Sequence, residues 1–128
     1  MTAAGRLLLD THVFLWWRSE PARLPAPVKS SIASADIVFV SAVSAWEAAI
    51  KSSLGRLEIP DTIEAGVLAS GFEKLLLTFA HAERVAGLPH HHRDPFDRML
   101  IAQAQAEGLT LVTHDRLLEP YAVEILWA

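Results

Sequence analysis

The chain of 128 residues contains no cysteine. Disulfides and thiolate metal sites are therefore excluded, and a reducing, cytoplasmic location is expected. Charge is also scarce. Asp, Glu, Lys and Arg make up 20% of the residues against 52% hydrophobic, and the mean hydropathy is +0.27. That balance excludes a disordered chain, and it predicts a surface that hides some apolar area against a partner. Long apolar runs are missing too. No segment approaches the roughly 20 residues of a membrane span, and MTAAGRLLLD offers no stretch long enough for a secretion signal. Nor is there an excess of positive charge: 11 Lys and Arg stand against 15 Asp and Glu, for a formal net charge of −4. A general nucleic-acid binder would show a basic face instead. Internal repeats and low-complexity segments are absent, and the length fits one domain spanning residues 1–128.

What is present is an alternation of two periodicities. RLLLD reads as a short buried strand at 6–10, and THVFLWWRS follows with helical spacing. PARLPAP is a proline-punctuated loop and PVKSSIASA a short helix. DIVFVS at 36–41 is a second buried strand. SAVSAWEAAIKSSLG is a helix opened by Ser41 or Ser44 and closed by Gly55. A further helix begins at Asp61, and EKLLLT at 73–78 is a third strand. After the short helix AHAERVAGL, LPHHHRDP reads as an exposed loop. PFDRMLIAQAQAEG is the clearest helix, with Asp94 as cap, Pro95 at the first position and Gly108 after its end. LTLVT and VEILW supply a fourth and a fifth strand. Strands that alternate with helices in this way predict a mostly parallel sheet covered on both faces.

Four carboxylates stand where such a fold gathers side chains. Asp10 ends the first strand, and Asp115 follows the fourth. Ligands of open α/β sheets bind beyond the carboxyl ends of the strands, so both fall on the binding edge. At about 100° per residue, Asp97 shares a stripe with Leu100, Ile101 and Ala104. Glu47 sits at the margin of its own helix's apolar stripe, beside Val43 and Leu54. A lone desolvated charge costs several kcal/mol or more at such positions. A hard divalent cation removes that objection, and metal-activated water beside a phosphate is the usual chemistry of such a site. Each acid also has a plainer reading. Asp10 and Asp115 precede helical stretches and suit caps, Asp94 and Asp97 are spaced like a capping box, and Glu47 can pair with Lys51 one turn on.

LLLDTHVFLWW, SAVSAWEAAIK and HHRDPFDRMLIAQAQAEGLTLVTHD, in that order, closely resemble the PIN-domain family, and within it the VapC-type toxins of toxin–antitoxin pairs. DPFDRMLIAQA is the most specific part. The resemblance implies a PIN-like three-layer sandwich and an endoribonuclease dependent on Mg2+ or Mn2+. It implies a four-acid site at Asp10, Glu47, Asp97 and Asp115, with Thr113 in the place of the Ser or Thr that shortly precedes the last acid. It also implies a homodimer, and inhibition by a cognate VapB-type antitoxin laid across the active-site groove.

On that basis Asp10 and Asp97 are expected to be the principal metal ligands. Asp115 and Glu47 would complete the site directly or through water, with Glu47 orienting the attacking water or taking its proton. Oxygen-only ligands, with no cysteine and no helical histidine pair, favour magnesium or manganese over zinc. Lys51, Arg56, Arg93, Arg98 and Arg116 are candidates for RNA phosphate contacts, and the run His90–His92 reads as exposed loop. Trp16 and Trp17 are adjacent on one helix and cannot both face the core. One is therefore expected to meet another chain, unless the proline loop covers it. Two rival acidic-pocket folds fit less well. A phosphoacceptor receiver domain needs paired acids after the first strand and a lysine after its last, and here stand Thr11, His12 and VEILWA. A haloacid-dehalogenase-type phosphatase needs an Asp where His12 stands. A non-catalytic PIN-like protein-binding relative stays open as the alternative, with the presence of all four acids speaking against it.

Overall fold

The computed structural model describes residues 5–128. Met1–Ala4, the start of the segment read above for a secretion signal, lie outside the described residues. Five strands, β1 (Arg6–Leu9), β2 (Ile37–Ser41), β3 (Glu73–Leu75), β4 (Thr110–Thr113) and β5 (Ile125–Trp127), form one sheet in the order β3-β2-β1-β4-β5. All four pairings are parallel. The sheet is thus fully parallel where the sequence predicted mostly so. The chain winds outward from β1 through β2 to β3, then returns to place β4 on the other side of β1. The winding reverses between β1 and β4, and that reversal opens a crevice at their carboxyl ends.

Side chains alternate across the central strand. Leu7 and Leu9 face one apolar cluster with Val13, Phe14, Val28 and Ile32, supplied by α1 (Thr11–Ser19) and α2 (Ala26–Ser34). Leu8 faces the other, with Leu100, Ile101 and Ala104 of α6 (Pro95–Glu107). Helices therefore cover both faces. Among the described residues, no helix is long and apolar enough to cross a membrane.

The helix ends follow local chemistry. Asp10 caps α1 by accepting from the Val13 N–H at 2.8 Å. Ser41, and not Ser44, caps α3 (Ala42–Ser53). Asp94 caps α6 and Gly108 ends it at φ +67°, the left-handed conformation that glycine adopts without a Cβ clash. Other boundaries move. α4 (Ile63–Ala69) is capped by the Thr62 hydroxyl, one residue later than expected, while Asp61 is drawn into an ion pair with Arg18 at 3.1 Å. β3 stops at Leu75 because only β2 lies beside it and their shared register ends there. Leu76 and Leu77 are consequently exposed, and α5 (Phe79–Arg84) follows. Leu54, expected near the apolar stripe of α3, is exposed past the helix end.

Both neighbouring tryptophans of α1 are half-buried. Trp16 packs edge-on against His114 and lies under the Arg23 guanidinium at 4.6 Å from its ring centre. Trp17 leans on Phe72 and lines a surface concavity of about 460 Å³ with Pro21, Lys29, Ser30 and Ala33. The proline loop flanks it as the sequence suggested.

Candidate active site

The carboxyl ends of β1 and β4 deliver the first two acids. Asp10 is buried, and each of its oxygens is engaged. Oδ1 accepts from the Val13 N–H, and Oδ2 accepts from the Thr113 hydroxyl at 2.5 Å. Burial pushes its carboxyl above the ordinary range, the Thr113 and Val13 hydrogen bonds pull it back, and the charge of Glu47 adds to the rise. Thr113 has a second task. Its oxygen accepts from the Asp115 N–H at 3.1 Å, so one hydroxyl ties the end of β1 to the turn after β4. Asp115 then accepts from the Leu117 N–H through Oδ1, which opens a short 3₁₀ turn and leaves Oδ2 toward the crevice.

Helices entered from the same edge supply the other two. Glu47 lies in α3 and is buried at 3% exposure. Its Oε1 accepts from the Thr11 hydroxyl at 2.7 Å, and its Oε2 pairs with Lys51 Nζ at 2.7 Å. The i,i+4 pairing that the spacing allowed is formed, and Ser44 completes a buried hydroxyl contact with Thr11 at 2.8 Å. Asp97 stands in the first turn of α6, above the Leu100 and Ile101 that anchor its helix in the core. Its carboxyl is pushed up to about 7 by burial first, then by the negative charges of Asp94, Asp10 and Glu47, with His92 opposing the rise. A carboxyl raised by three neighbouring acids marks a surplus of negative charge in one place.

The sequence reading missed His92. That residue is no exposed loop position: its side chain is 13% exposed and lies among the acids. Its Nε2 is 2.9 Å from Asp115 Oδ2 and 3.1 Å from Asp97 Oδ2. Among the described residues, His92, Asp97 and Asp115 form the one group of potential ligand atoms all within 4.8 Å of one another. Asp10 lies outside that trio, so the tightest grouping pairs Asp97 with Asp115 and not with Asp10. Arg98, read as a phosphate contact, is buried instead. It donates to the carbonyls of Pro89, Val85 and Leu88 and to the Tyr121 hydroxyl. Arg98 stands three and four residues before Ile101 and Ala102 on the buried side of its helix, and that spacing carried the signal. Arg93 and Arg116 remain exposed, the latter stacked over Trp127 at 4.2 Å.

The donor set fits a hard divalent cation. Asp97 and Asp115 stand within 4.8 Å of each other at the carboxyl edge of the sheet, the charges of Asp10 and Glu47 both raise the Asp97 carboxyl, and the chain has no thiolate to compete.

A parallel sheet with acids gathered at its winding reversal defines a class, and comparison supplies its name. The PIN domain profile matches residues 7–123, and the chain belongs to the PIN-domain family. Within that family it is 33% identical over 118 residues to Ribonuclease VapC22 of Mycobacterium tuberculosis, covering 90% of this chain and 91% of that one. Solved structures agree on the fold. VapBC2 from Rickettsia felis, bound to a DNA fragment from its promoter, superposes with a TM-score of 0.72 at 12% identity, over 94% of this chain and 97% of that chain. VapBC-5 from Mycobacterium tuberculosis, a member of the VapBC family of toxin–antitoxin systems, gives 0.60 at 22%, over 96% and 98%.

Proposed function

We propose that the protein is the ribonuclease toxin of a VapBC-type pair, one PIN-like domain over its 128 residues that cuts RNA phosphodiester bonds in the cytoplasm. The reading is carried by the gathering of Asp10, Glu47, Asp97 and Asp115 at the β1–β4 crevice in a chain that shares a third of its residues with a VapC ribonuclease. Asp97, Asp115 and Asp10 would hold Mg2+ or Mn2+. When bound, a divalent cation supplies Lewis acidity toward water and the scissile phosphate. Glu47 is fixed by Thr11 and Lys51 and serves best as an outer acceptor that orients water. Exposed Arg93 and Arg116 flank the acids and suit phosphate contacts with a single-stranded or looped RNA.

Partners follow from the surface. Trp46, Leu68, Leu76, Leu77, Phe79 and Leu117 are large apolar side chains left in solvent. A homodimer and a cognate antitoxin are the covers we assign to that area.

The test is cleavage of end-labelled RNA by purified variants. Metal-assisted stabilisation is worth several kcal/mol, so Asp10→Ala and Asp97→Asn are expected to lose about 10³-fold or more in rate. Their circular dichroism should stay close to the parent's, and Asp10→Ala, which also loses the cap of α1, should melt a few degrees lower. An Asp10→Ala enzyme as fast as the parent refutes the assignment.

A further inference from the structure

The loop before α6 is built around one imidazole. The His92 N–H donates to the Tyr121 hydroxyl at 3.0 Å, and that hydroxyl also accepts from Arg98. Arg98 in turn ties down the carbonyls of Val85, Leu88 and Pro89. The residues leading to His92 are therefore held to the body of the protein by a buried guanidinium and a buried phenol. The ring itself is then oriented from both ends. Its Nδ1 accepts from the Arg93 N–H at 2.9 Å and the Asp94 N–H at 3.4 Å. A nitrogen that faces two backbone N–H groups cannot carry a proton. The proton is consequently on Nε2, the atom that lies between Asp115 and Asp97.

We infer that His92 is a positioning residue of the metal centre: its Nε2–H is hydrogen-bonded to Asp115 Oδ2 and stands 3.1 Å from Asp97 Oδ2, and so it holds the two carboxylates beside each other where one cation would bind. This inference rests on the reading of the acidic crevice as a metal site. It gives His92 the role of donor and excludes it as ligand, because Nε2 has no free lone pair in this tautomer. Two like charges held this close repel each other, and an N–H bonded to one and lying beside the other offsets that repulsion before any cation arrives. A partner of this kind fixes ligand orientation, and its loss commonly weakens metal binding about 10–100-fold.

Calorimetric titration of the purified full chain with Mn2+ tests the clamp. His92→Ala is expected to bind Mn2+ about 10–100-fold more weakly than the parent. His92→Gln should recover most of the affinity, since its amide N–H reaches close to the position of Nε2–H. Cleavage by His92→Ala should need more Mn2+ for half-activation and approach the parent's rate at saturation. Nitrogen NMR of the labelled imidazole should show the Nε2–H tautomer, which a residue that merely fills space has no reason to keep. Unchanged or tighter Mn2+ binding in His92→Ala overturns the inference. So does a His92→Gln protein as weak as His92→Ala, which would make the ring a ligand, or an Nδ1–H tautomer in the parent. Asp97→Asn separates this failure from the larger one. If parent and Asp97→Asn bind Mn2+ alike, the acidic centre itself is misread and the clamp falls with it. If only Asp97→Asn loses the metal, the centre stands and the clamp alone is wrong. Should His92→Ala fail to fold, His92→Gln and the tautomer still decide.

Discussion

A single hydroxyl, that of Thr113, shows how little chemistry separates a structural cap from a catalytic site. It donates to Asp10 and accepts from the Asp115 backbone, and it is fully buried. Thr113→Val keeps the shape and deletes both bonds. A hydrogen bond to a charged group is worth about 1.5–3 kcal/mol, so RNA cleavage should fall about tenfold to a hundredfold. Single-turnover assays at fixed Mn2+ check this, and an undiminished rate would show that Thr113 serves the fold alone. The four acids were legible in the sequence for a physical reason. Each interrupts an apolar pattern, at a strand end or on a helix stripe, where a charge needs a partner. Asp10 is both cap and candidate ligand, and Glu47 is both ion-paired and buried, so the plain and functional readings were never exclusive. His92 was not legible. Its placement depends on Tyr121, 29 residues away, and on a loop with no periodicity to read.

At the scale of elements, α6 does most to assemble the site, and its first turn is set by Asp94. That carboxylate accepts from the Phe96 and Asp97 N–H groups, and its charge is the largest electrostatic cause of the raised Asp97 carboxyl. Cap and charge can be separated. Asp94→Ala is expected to lose about 1 kcal/mol of stability, whereas Asp94→Asn, which still caps, should lose only a few tenths. Both should bring the Asp97 carboxyl downward. Urea unfolding measures the first effect, and carboxyl NMR titration of metal-free protein measures the second. Equal stability losses in the two variants would show that charge, not capping, sets this turn. Long elements such as α6 were readable to the residue because capping, proline and glycine signals coincide at their ends. Short edge strands were not. EKLLLT has strand character throughout, yet only Glu73–Leu75 finds a neighbour, and that depends on β2, not on the segment itself. Likewise the opening of α4 turned on a choice between Asp61 and Thr62, which the distant Arg18 decides by drawing Asp61 away.

Over the whole molecule the site appears as a charge that the fold tolerates but does not balance. The chain carries a formal net charge of −4, and the charges of Asp94, Asp10 and Glu47 all raise the Asp97 carboxyl. The sign of the resulting pH dependence is fixed. The Asp97 carboxyl lies near 7 in the folded protein against an ordinary 3.8, so between those values the folded state binds more protons than the unfolded one. Asp97 therefore lowers the stability of the metal-free protein as pH rises from about 4 through about 7, Asp10, raised in the same direction, adds to the fall, and Glu64, lowered by Lys74, opposes it only at the acid end. The expected loss is on the order of a few kcal/mol. A divalent cation binds the ionised carboxylates of the folded state, so its contribution grows over the same range and opposes the decline. Urea unfolding at pH 5, 6, 7 and 8, with chelator or with saturating Mg2+, should give a descending series in the first case and a flatter one in the second. Asp97→Asn has no such carboxyl to titrate, and its chelator series should descend least of all. A parent protein that grows more stable from pH 5 to pH 8 in chelator would mean that the repulsion in the crevice is already neutralised by the protein's own cations, Lys51 foremost, and that the fold has no need of a metal there.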